Sequence, residues 1–320
     1  MEKKLLTIAI TTYNRQKELL NVLRALECQG QFDKYKIIIS DNHSDYDIRG
    51  WLKSQLSEDF YSIIDIYVRD INIGGDSNIA WIFQMVKTPW MWLTSDDDIP
   101  EPNAIDMLLR DIHDNEDLCW IKYSIKGYSP FKDIKCKTIA SVLEQIDNKT
   151  HDFGEMVFMS NNVYNMSKIY DYIGKLPSNA RTSMPHLIAP FFAMSEANCE
   201  MKFSPNNIVE FNRGETTYNP IYAYLNVGNI KYIGLFKNKE DLKAYKKIRW
   251  IPVHLHVKYI LMEPKFVRRE FFLKILISQY PVFSLRTFRF ILLFEILNVM
   301  PQIILNKILH VNKEKIKSHQ

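Results

Sequence analysis

Three adjacent carboxylates, Asp96-Asp97-Asp98, are the residues whose types most directly indicate chemistry. Carboxylates so close together repel one another unless a cation neutralises them. Their oxygens are hard ligands that favour Mg²⁺ or Mn²⁺, often shared with the phosphates of a substrate diphosphate. Acidic residues are also common in solvated loops and at helix N-termini, so this run by itself leaves both a metal site and a surface turn open.

Polar clusters follow four short apolar runs of the sequence, each of which is predicted to be a strand. The clusters occupy residues 11–15, 41–45, 70–75 and 94–98. In an open α/β sheet, ligands bind outside the carboxyl ends of the strands. Four consecutive clusters at that edge predict one binding site, and this convergence favours the metal-site interpretation of the three aspartates.

The elements that must position these clusters alternate along the first half of the chain. Short apolar runs predict strands at residues 5–11, 35–40, 63–68, 90–93 and 118–123. Helical spacing of apolar residues predicts helices at residues 15–28, 77–86 and 104–112. Asn14 is placed to cap the first helix, and its position after the first apolar run argues against a signal-peptide cleavage site. Strands alternating with helices predict βαβ units and a mostly parallel sheet.

Two of the other clusters contain residues suited to a nucleotide. The carboxylate of Asp41 can accept hydrogen bonds from a base or a ribose hydroxyl, although the surrounding residues are also good turn formers. Asn72, Gly74 and Gly75 precede a predicted helix, where backbone N–H groups can approach a phosphate. A plain turn explains that second cluster equally well.

In order and spacing, these clusters resemble the motifs of family 2 glycosyltransferases. The motifs are Thr11-Thr12-Tyr13-Asn14-Arg15, Ser40-Asp41-Asn42-x-Ser44, Asn72-x-Gly74-x-x-x-Asn78 and Ser95-Asp96-Asp97-Asp98. The resemblance covers residues 5–125 strongly and 150–225 weakly. It implies the GT-A fold, an α/β architecture with a Rossmann-like, mostly parallel mixed sheet flanked by helices. The chain looks similar to the bacterial subgroup that builds O-antigen and capsular polysaccharide.

The resemblance also implies roles for the matching positions. The nucleotide-sugar, most often a UDP-sugar, would be bound by Thr11, Tyr13, Arg15, Asp41, Asn72, Asn78, Asp96 and Asp97. Within that set, Asp41 would contact the base. Asp96 and Asp98 would be the carboxylates of a D-x-D motif that holds Mn²⁺ or Mg²⁺, with Asp98 in direct contact with the metal. That metal would stabilise the leaving nucleoside diphosphate as a Lewis acid.

The catalytic base is less directly indicated. An inverting transfer needs a group that deprotonates the acceptor hydroxyl. Family members usually carry an acidic residue about 90 positions after the D-x-D motif, but residues 181–189 contain no carboxylate and place His186 there, 88 residues after Asp98. We therefore expect His186 to be the base, since neutral histidine is a competent base near pH 7. A structural or acceptor-holding role for His186 stays open, as do Glu196, Asp152 and Glu155 as bases.

Two other polar segments are expected to serve the ligands, one facing the acceptor and the other carrying Arg213, which as part of a lid would reach the diphosphate. Ser160-Asn161-Asn162 follows an apolar run at residues 156–159, predicted to be a strand, and is expected to face the acceptor. The polar segment at residues 212–218 is expected to be a mobile lid or a surface loop.

Charge divides the sequence into two regions. The formal net charge is +4, but residues 231–320 hold 18 Lys/Arg against 6 Asp/Glu, a net of +12, which leaves −8 for residues 1–230. We therefore predict a catalytic domain at 1–230 and a basic helical region at 231–320. Helices are predicted at residues 239–251, 253–262, 266–278, 285–299 and 303–311, separated by prolines.

The basic region indicates a partner by its composition. Apolar faces beside a cationic face are typical of interfacial helices on anionic membranes, and the alternative is a helical subdomain packed on the sheet. No nucleic-acid motif is present. No apolar stretch reaches the ~18 residues of a spanning helix. The 4 Cys are widely separated, which fits a reduced, cytoplasmic compartment. The basic helices would add a peripheral contact to the inner leaflet of the membrane.

Together these features predict a metal-dependent, inverting glycosyltransferase. It would transfer a sugar from a nucleotide-sugar to a lipid-linked or saccharide acceptor in surface polysaccharide biosynthesis. One alternative is a catalytically degenerate membrane-associated scaffold, which the missing acidic base leaves open. The other is a Mg²⁺-dependent phosphohydrolase or nucleotidyltransferase, because an acidic loop after a strand suits those enzymes too.

Overall fold

The computed structural model describes residues 4–146, 150–151, 153–210, 233–248, 257–258, 260–261, 265–279 and 284–300. These residues fall into two compact units. The first unit holds the described residues up to 210 together with 233–248, and the second holds those from 257 onward.

An eight-stranded mixed sheet forms the centre of the first unit. Its strands are β1 (Leu6–Thr12), β2 (Tyr35–Asp41), β3 (Ile64–Val68), β4 (Trp90–Ser95), β6 (Trp120–Ser124), β7 (Ile134–Cys136), β8 (Asn162–Asn165) and β9 (Met201–Asn207). Their order is β3-β2-β1-β4-β8-β6-β9-β7. A second, two-stranded sheet pairs β5 (Ile99–Pro100) with β10 (Val209–Glu210).

The sheet is parallel over its first four strands and mixed over the rest. β3, β2, β1 and β4 are parallel neighbours, so all four of their carboxyl ends meet at one edge. β8 is antiparallel to both β4 and β6. The predicted strands of the first half are confirmed, and the structure adds the later strands that complete the predicted mixed sheet.

Helices pack on the sheet of the first unit, and helices also form the described part of the second unit. They are α1 (Gln16–Glu27), α2 (Ile48–Gln55), α3 (Glu58–Tyr61), α4 (Gly75–Met85), α5 (Ala104–Asp114), α6 (Ile139–Leu143), α7 (Phe153–Val157), α8 (Met166–Ile169), α9 (Pro185–Ala197), α10 (Lys239–Ile248), α11 (Lys265–Gln279) and α12 (Leu285–Asn298). Two 3₁₀ helices, Tyr170–Lys175 and Pro177–Thr182, lead into α9.

The core lies where apolar runs of the central strands meet the helices. Ile8, Ile10, Ile37 and Ile39 are completely buried. Strands that are covered by helices on both faces are apolar throughout rather than alternating, and this explains why β1 and β2 read as continuous apolar runs in the sequence. The sheet is thereby a rigid support for the polar residues that follow each strand.

Asn14 does not cap α1, contrary to the sequence-based prediction. The helix begins at Gln16, and Asn14 lies before it with φ +52°. Its backbone N–H donates to Ser44 Oγ at 2.9 Å, and its Oδ1 accepts from the Asp45 N–H at 2.9 Å. Asn14 therefore joins the loop after β1 to the loop after β2, since asparagine tolerates the left-handed region better than most residues.

The apolar run at residues 156–159 is not a strand. Residues Phe153–Val157 form helix α7, and the chain then turns into β8, which begins at Asn162. Periodicity does not distinguish a short buried helix from a short buried strand. The apolar run was too short to decide between them, and the strand prediction is wrong.

Helix α10 belongs to the first unit, although the predicted boundary at residue 230 placed it in the basic region. It packs against α6, where the Ala140 N–H donates to Asp241 Oδ1 at 2.8 Å. An acidic residue at the start of one helix thus accepts from the start of another, which the charge count along the chain did not indicate.

In the second unit, α12 is apolar on two faces. Phe290 and Phe294 are fully buried and stack on Phe272 of α11, with ring centroids 5.1 and 4.2 Å apart. The outward face carries Leu285, Phe288, Leu292, Ile296 and Val299, all exposed. Within the described part of the chain, the helices are too short or too polar to cross a bilayer.

The start of α4 is fixed to β2 by one buried pair of side chains. Asn78 Nδ2 donates to the Ser40 carbonyl at 2.9 Å, and Ser40 Oγ donates to Asn78 Oδ1 at 2.6 Å. Both residues are nearly inaccessible, at 2% and 0% exposure. The pair therefore sets where the loop between β3 and α4 lies along the sheet edge.

We predict that Asn78→Ala lowers the free energy of unfolding by about 2–4 kcal/mol, because two buried hydrogen bonds are lost and the groups of Ser40 stay buried. Urea denaturation measures the change. Asn115→Ala is the control, since this mostly buried asparagine donates one hydrogen bond at the end of α5 and should cost about 1 kcal/mol. Equal losses in both variants would contradict the anchoring role.

Candidate functional site

The three aspartates lie directly after β4, at the edge where the parallel strands end. The register pairs Thr11 of β1 with Ser95 of β4, and Thr12 with Asp41 of β2. Asp96 and Asp98 are each 4% exposed. The structure thus brings the residues after β1, β2 and β4 to one location, as the clusters predicted.

Arg15 is the cation that faces the aspartates. Its guanidinium pairs with Asp96 at 3.3 Å and with Asp97 through a shorter contact. Ser95 Oγ also donates to Asp97. Arg15 directly precedes α1, so its ion pairs connect the start of the first helix to the end of the fourth strand.

Asp96 is held in an unusual electrostatic setting. Burial raises the pKa of Asp96 to about 6, while the Thr12 hydroxyl and the Arg15 guanidinium act against that shift and the Asp97 charge adds to it. Removing a carboxylate from water costs more than one partly exposed arginine recovers. The carboxylate is therefore one whose ionised form a further cation would stabilise.

The donor set at this edge fits a divalent cation bound together with a diphosphate. Among the described residues, no three His, Cys, Asp or Glu side chains are arranged as a complete metal cage. A Mg²⁺-type site needs no such cage, because it is typically held by one or two carboxylates plus substrate phosphates and waters. Asp96 and Asp98 supply that number of carboxylates.

Asp98 is oriented by a residue from a distant part of the sequence. Its Oδ2 accepts a hydrogen bond from Ser160 Oγ at 2.6 Å. The Ser160 hydroxyl also accepts from the Ser95 N–H at 2.9 Å. Ser160-Asn161-Asn162 is fully buried and so does not face an acceptor, in contrast to the expectation from the sequence.

Asp41 is fully buried, and its carboxylate organises the loop that follows β2. It accepts from the Ser44 N–H at 3.1 Å and from Ser44 Oγ at 2.5 Å. Tyr46, from the same loop, places its hydroxyl close to the charges of Asp41 and Asp96. Burial, with those charges adding to it, raises the pKa of Tyr46 to about 12, so the phenol stays a hydrogen-bond donor. Sequence reasoning missed Tyr46.

The loop before α4 is braced by two asparagines. Asn42 Nδ2 donates to Asn72 Oδ1 at 2.8 Å, and the same Asn72 oxygen accepts from the Gly74 N–H at 2.9 Å. The Ile73 N–H donates to Asn42 Oδ1 at 3.0 Å. Gly74 has φ +83°, which a residue with a side chain rarely adopts. In this arrangement these two amide groups hold the loop rather than point at a phosphate.

The other residues predicted to bind the nucleotide differ in accessibility. Tyr13 is 44% exposed and Thr11 is half-buried. The side chain of Asn78 is occupied by Ser40, so its contribution is to hold α4. A ligand at this edge would therefore meet Tyr13, Thr11 and Arg15 directly, whereas Asn78 acts through the backbone it fixes.

His186 lies inside the protein and not at an open cleft. It is 3% exposed, and neither ring nitrogen makes a hydrogen bond of normal geometry within the described structure. Burial, with the nearby charge of Lys122 adding to it, lowers the pKa of His186 to about 3. A weakly basic, enclosed imidazole does not support the prediction that His186 deprotonates the acceptor.

The carboxylates considered as alternative bases differ in exposure and in their ion-pair partners. Glu196 is partly exposed and pairs with Lys237 at 2.8 Å and Lys175 at 3.4 Å. Glu155 is 3% exposed beside His151. Asp152 and the expected lid at 212–218 lie outside the described residues.

Asp76 is a further carboxylate that sequence reasoning missed. It lies in the first turn of α4, and burial raises its pKa while a hydrogen bond with Ser183 opposes the shift. Ser183 precedes α9 with φ +57°. The contact therefore joins α4 to the segment in which the base was expected, and no motif in the sequence indicated it.

A family model described as Glycosyl transferase family 2 matches residues 7–136. That stretch contains all four polar motifs and the edge at which the structure gathers them. Residues 7–136 are therefore similar to family 2 glycosyltransferases. The search of curated proteins found no match to this sequence.

Solved structures with the same fold bind nucleotide-sugars. Residues 1–349 of S. aureus TarS in complex with UDP-GlcNAc match with a TM-score of 0.54 and 12% identity, covering 86% of this chain and 89% of that one. The mannosyltransferase PcManGT from Pyrobaculum calidifontis, in complex with GDP-Man and Mn²⁺, matches with a TM-score of 0.56 and 11% identity, covering 94% and 82%. At these identities the likeness is one of fold, and the fold is GT-A.

We predict that His186→Ala removes part of the acid sensitivity of folding. The folded pKa of about 3 lies below the unfolded value of 6.5, so the unfolded chain binds a proton first as the pH falls. The contribution of His186 is fully present above pH 6.5 and is lost progressively toward the folded pKa. Between pH 7 and about 5, the wild type should lose about 2 kcal/mol that the variant keeps.

Urea unfolding of both proteins at the two pH values measures this difference. The cavity left by alanine lowers stability at both pH values alike and cancels in the comparison. If the two proteins have the same pH dependence, the imidazole titrates normally, and a role as the base regains support.

Proposed function

We propose that the protein transfers a sugar from a nucleotide-sugar to a lipid-linked or saccharide acceptor, with a divalent cation and with inversion. One observation carries this proposal: the aspartates after β4 meet Arg15 and the ends of β1 and β2 at one edge of a GT-A sheet. The bound nucleotide-sugars of the TarS and PcManGT structures support the same ligand class.

The chain's own residues divide the work at this edge. Asp96 and Asp98 would hold Mn²⁺ or Mg²⁺, which supplies Lewis-acid stabilisation of the departing diphosphate. Arg15 pairs with Asp96 and Asp97 in the free protein and is placed to contact a phosphate bound beside them. Asp41 and Tyr46 order the loop beside the pocket expected to take the base, and Tyr13 offers an exposed ring.

The donor and the pathway are proposals from the resemblance. A UDP-sugar is the proposed donor, as in the UDP-GlcNAc complex of TarS, with a GDP-sugar as the alternative that PcManGT illustrates. O-antigen or capsular polysaccharide assembly is the proposed pathway. The proposed base is a carboxylate or histidine near α9, and the enclosed position of His186 makes it the weaker choice.

We predict that Asp98→Asn lowers sugar transfer by about 100-fold or more, because a neutral amide is a poor ligand for a hard cation. The measurement is release of nucleoside diphosphate from a nucleotide-sugar panel with Mn²⁺. Asp114→Asn is the matched control, since it neutralises an exposed carboxylate at the end of α5. Full activity of Asp98→Asn would exclude the metal assignment.

A thermal-shift series separates this function from its alternatives. UDP, GDP, CDP and dTDP are each added with Mn²⁺, and the proposed function requires that at least one raises the melting temperature. If none of the four stabilises the wild type, the degenerate scaffold becomes the better proposal. Phosphate release from a nucleotide without an acceptor sugar would instead favour the phosphohydrolase.

We further propose that the second unit contacts an anionic membrane surface, which would bring a lipid-linked acceptor to the inner leaflet. The outward residues of α12 form a continuous apolar stripe, with Leu285, Phe288, Leu292, Ile296 and Val299 spaced three or four positions apart. Monomeric soluble proteins rarely expose large apolar patches, and such patches mark interaction sites. Residues 249–320, which belong to the second unit, hold 12 Lys/Arg against 4 Asp/Glu, and this net of +8 favours a negatively charged partner.

We predict that Phe288→Asp combined with Leu292→Asp lowers binding to phosphatidylglycerol-containing vesicles by about 10-fold or more, because each aspartate replaces an inserted apolar side chain. Vesicle flotation measures binding, with phosphatidylcholine vesicles as the uncharged comparison. Tyr170→Asp is the control, since Tyr170 is 59% exposed in the first unit. Wild-type protein that never floats with anionic vesicles would contradict the membrane proposal.

A further inference from the structure

Three consecutive polar residues where the chain enters β8 are completely buried between β4, which precedes the aspartates, and β6. Ser160, Asn161 and Asn162 are each 0% exposed, although serine and asparagine are usually found at the surface. Buried polar side chains are costly unless each is hydrogen-bonded, so the partners of these three residues indicate their role.

Ser160 connects two parts of the acidic edge. Its hydroxyl accepts from the Ser95 backbone N–H at 2.9 Å and donates to Asp98 Oδ2 at 2.6 Å. Because a hydroxyl has a single proton, accepting from Ser95 leaves that proton for the carboxylate. The carbonyl of Ser160 in turn accepts from Trp92 Nε1 at 2.8 Å, which ties the same residue to β4.

Asn161 and Asn162 are held by a buried lysine of β6. Lys122 Nζ donates to Asn161 Oδ1 at 2.8 Å and to Asn162 Oδ1 at 3.2 Å. Asn161 Nδ2 donates to the Tyr123 carbonyl at 2.5 Å, and Trp120 Nε1 donates to Asn162 Oδ1 at 2.9 Å. These bonds fix the segment against the strand on its other side.

Lys122 is itself an exceptional residue. Its side chain is 0% exposed, and burial lowers its pKa well below 10.5 while the charge of Glu155 opposes that shift. Such an arrangement is retained at a cost in stability, so a local purpose is expected. The purpose that its contacts suggest is to hold the segment that carries Ser160.

We propose that Ser160 is a positioning residue that orients Asp98 for the divalent cation, and that Lys122 keeps Ser160 in place. The proposal rests on the metal role given to Asp98 above. Groups that hydrogen-bond a ligating carboxylate fix its orientation, and their loss typically weakens metal binding by about 10- to 100-fold. Ser160 stands in that relation to Asp98, 62 residues away in sequence.

The test is a titration of the Ser160→Ala variant with Mn²⁺, with and without UDP. Electron paramagnetic resonance of the unbound ion measures how much Mn²⁺ the protein binds. We expect the dissociation constant for Mn²⁺ to rise about 10- to 100-fold. Saturating Mn²⁺ should restore transfer to near the wild-type rate, because Asp98 itself is still present. A purely structural role would not give a defect that metal reverses.

Ser124→Ala is the matched control. Ser124 is 1% exposed, and its hydroxyl also accepts a backbone N–H, from Phe131 at 2.8 Å, and donates to an oxygen, the Ser204 carbonyl at 2.9 Å. It therefore has the same burial and bonding pattern on β6 without a bond to an aspartate. We expect its Mn²⁺ affinity to stay within about 2-fold of wild type, because the Ser124 hydroxyl bonds backbone groups and not the carboxylate of Asp98.

Two further variants keep the proposal falsifiable if Ser160→Ala does not fold. Ser160→Cys replaces the hydroxyl with a weak donor of similar shape and should weaken Mn²⁺ binding in the same direction. Lys122→Met removes the ammonium, keeps the length of the side chain and should have a smaller effect of the same sign.

The results separate this inference from the proposed function. If Ser160→Ala and Ser160→Cys bind Mn²⁺ as tightly as wild type, the positioning role of Ser160 is wrong and the metal role of Asp98 stands. If the wild type binds no Mn²⁺ with or without UDP, the metal role fails and the inference fails with it.

Discussion

The cost of burying carboxylate charge at the end of β4 governs how the rest of the acidic edge of the sheet is built. Asp96 and Asp98 are almost inaccessible, and each carboxylate must be compensated by something other than bulk water. Arg15 supplies one compensation from the start of α1, and Ser160 supplies another from the segment before β8. The parallel strands place these groups together, and a divalent cation held by the two carboxylates would add to that compensation.

The same edge shows how the mixed sheet serves the site. Parallel strands bring the ends of β1, β2 and β4 together, which gives the polar loops a common side. The antiparallel strand β8 then enters between β4 and β6, so a distant segment reaches the aspartates. Lys122 is buried where that segment must be fixed. Rigid support behind a binding site is what holds ligating groups in a productive geometry.

Prediction from the sequence worked where one physical pattern had one structural solution. The apolar runs of β1, β2, β3 and β4 left little choice, and the polar residues after them had to lie at a common edge. It failed where the pattern was ambiguous or the decisive contact was remote. The short run at 156–159 suits a helix or a strand, Asn14 suits a cap or a left-handed turn, and a histidine 88 residues after Asp98 suits a base or a core residue.

The sequence by itself determined the class of fold, the acidic edge and the division between an acidic first part and a basic second part, because these follow from local apolar periodicity and charge. Only the tertiary structure decided which polar residues are reached by solvent and which are enclosed. It enclosed His186, turned Asp41 toward Ser44 and placed Ser160 against Asp98. The physical reason is that burial and hydrogen-bond partners arise from contacts between distant segments, and no local pattern specifies which segments will meet.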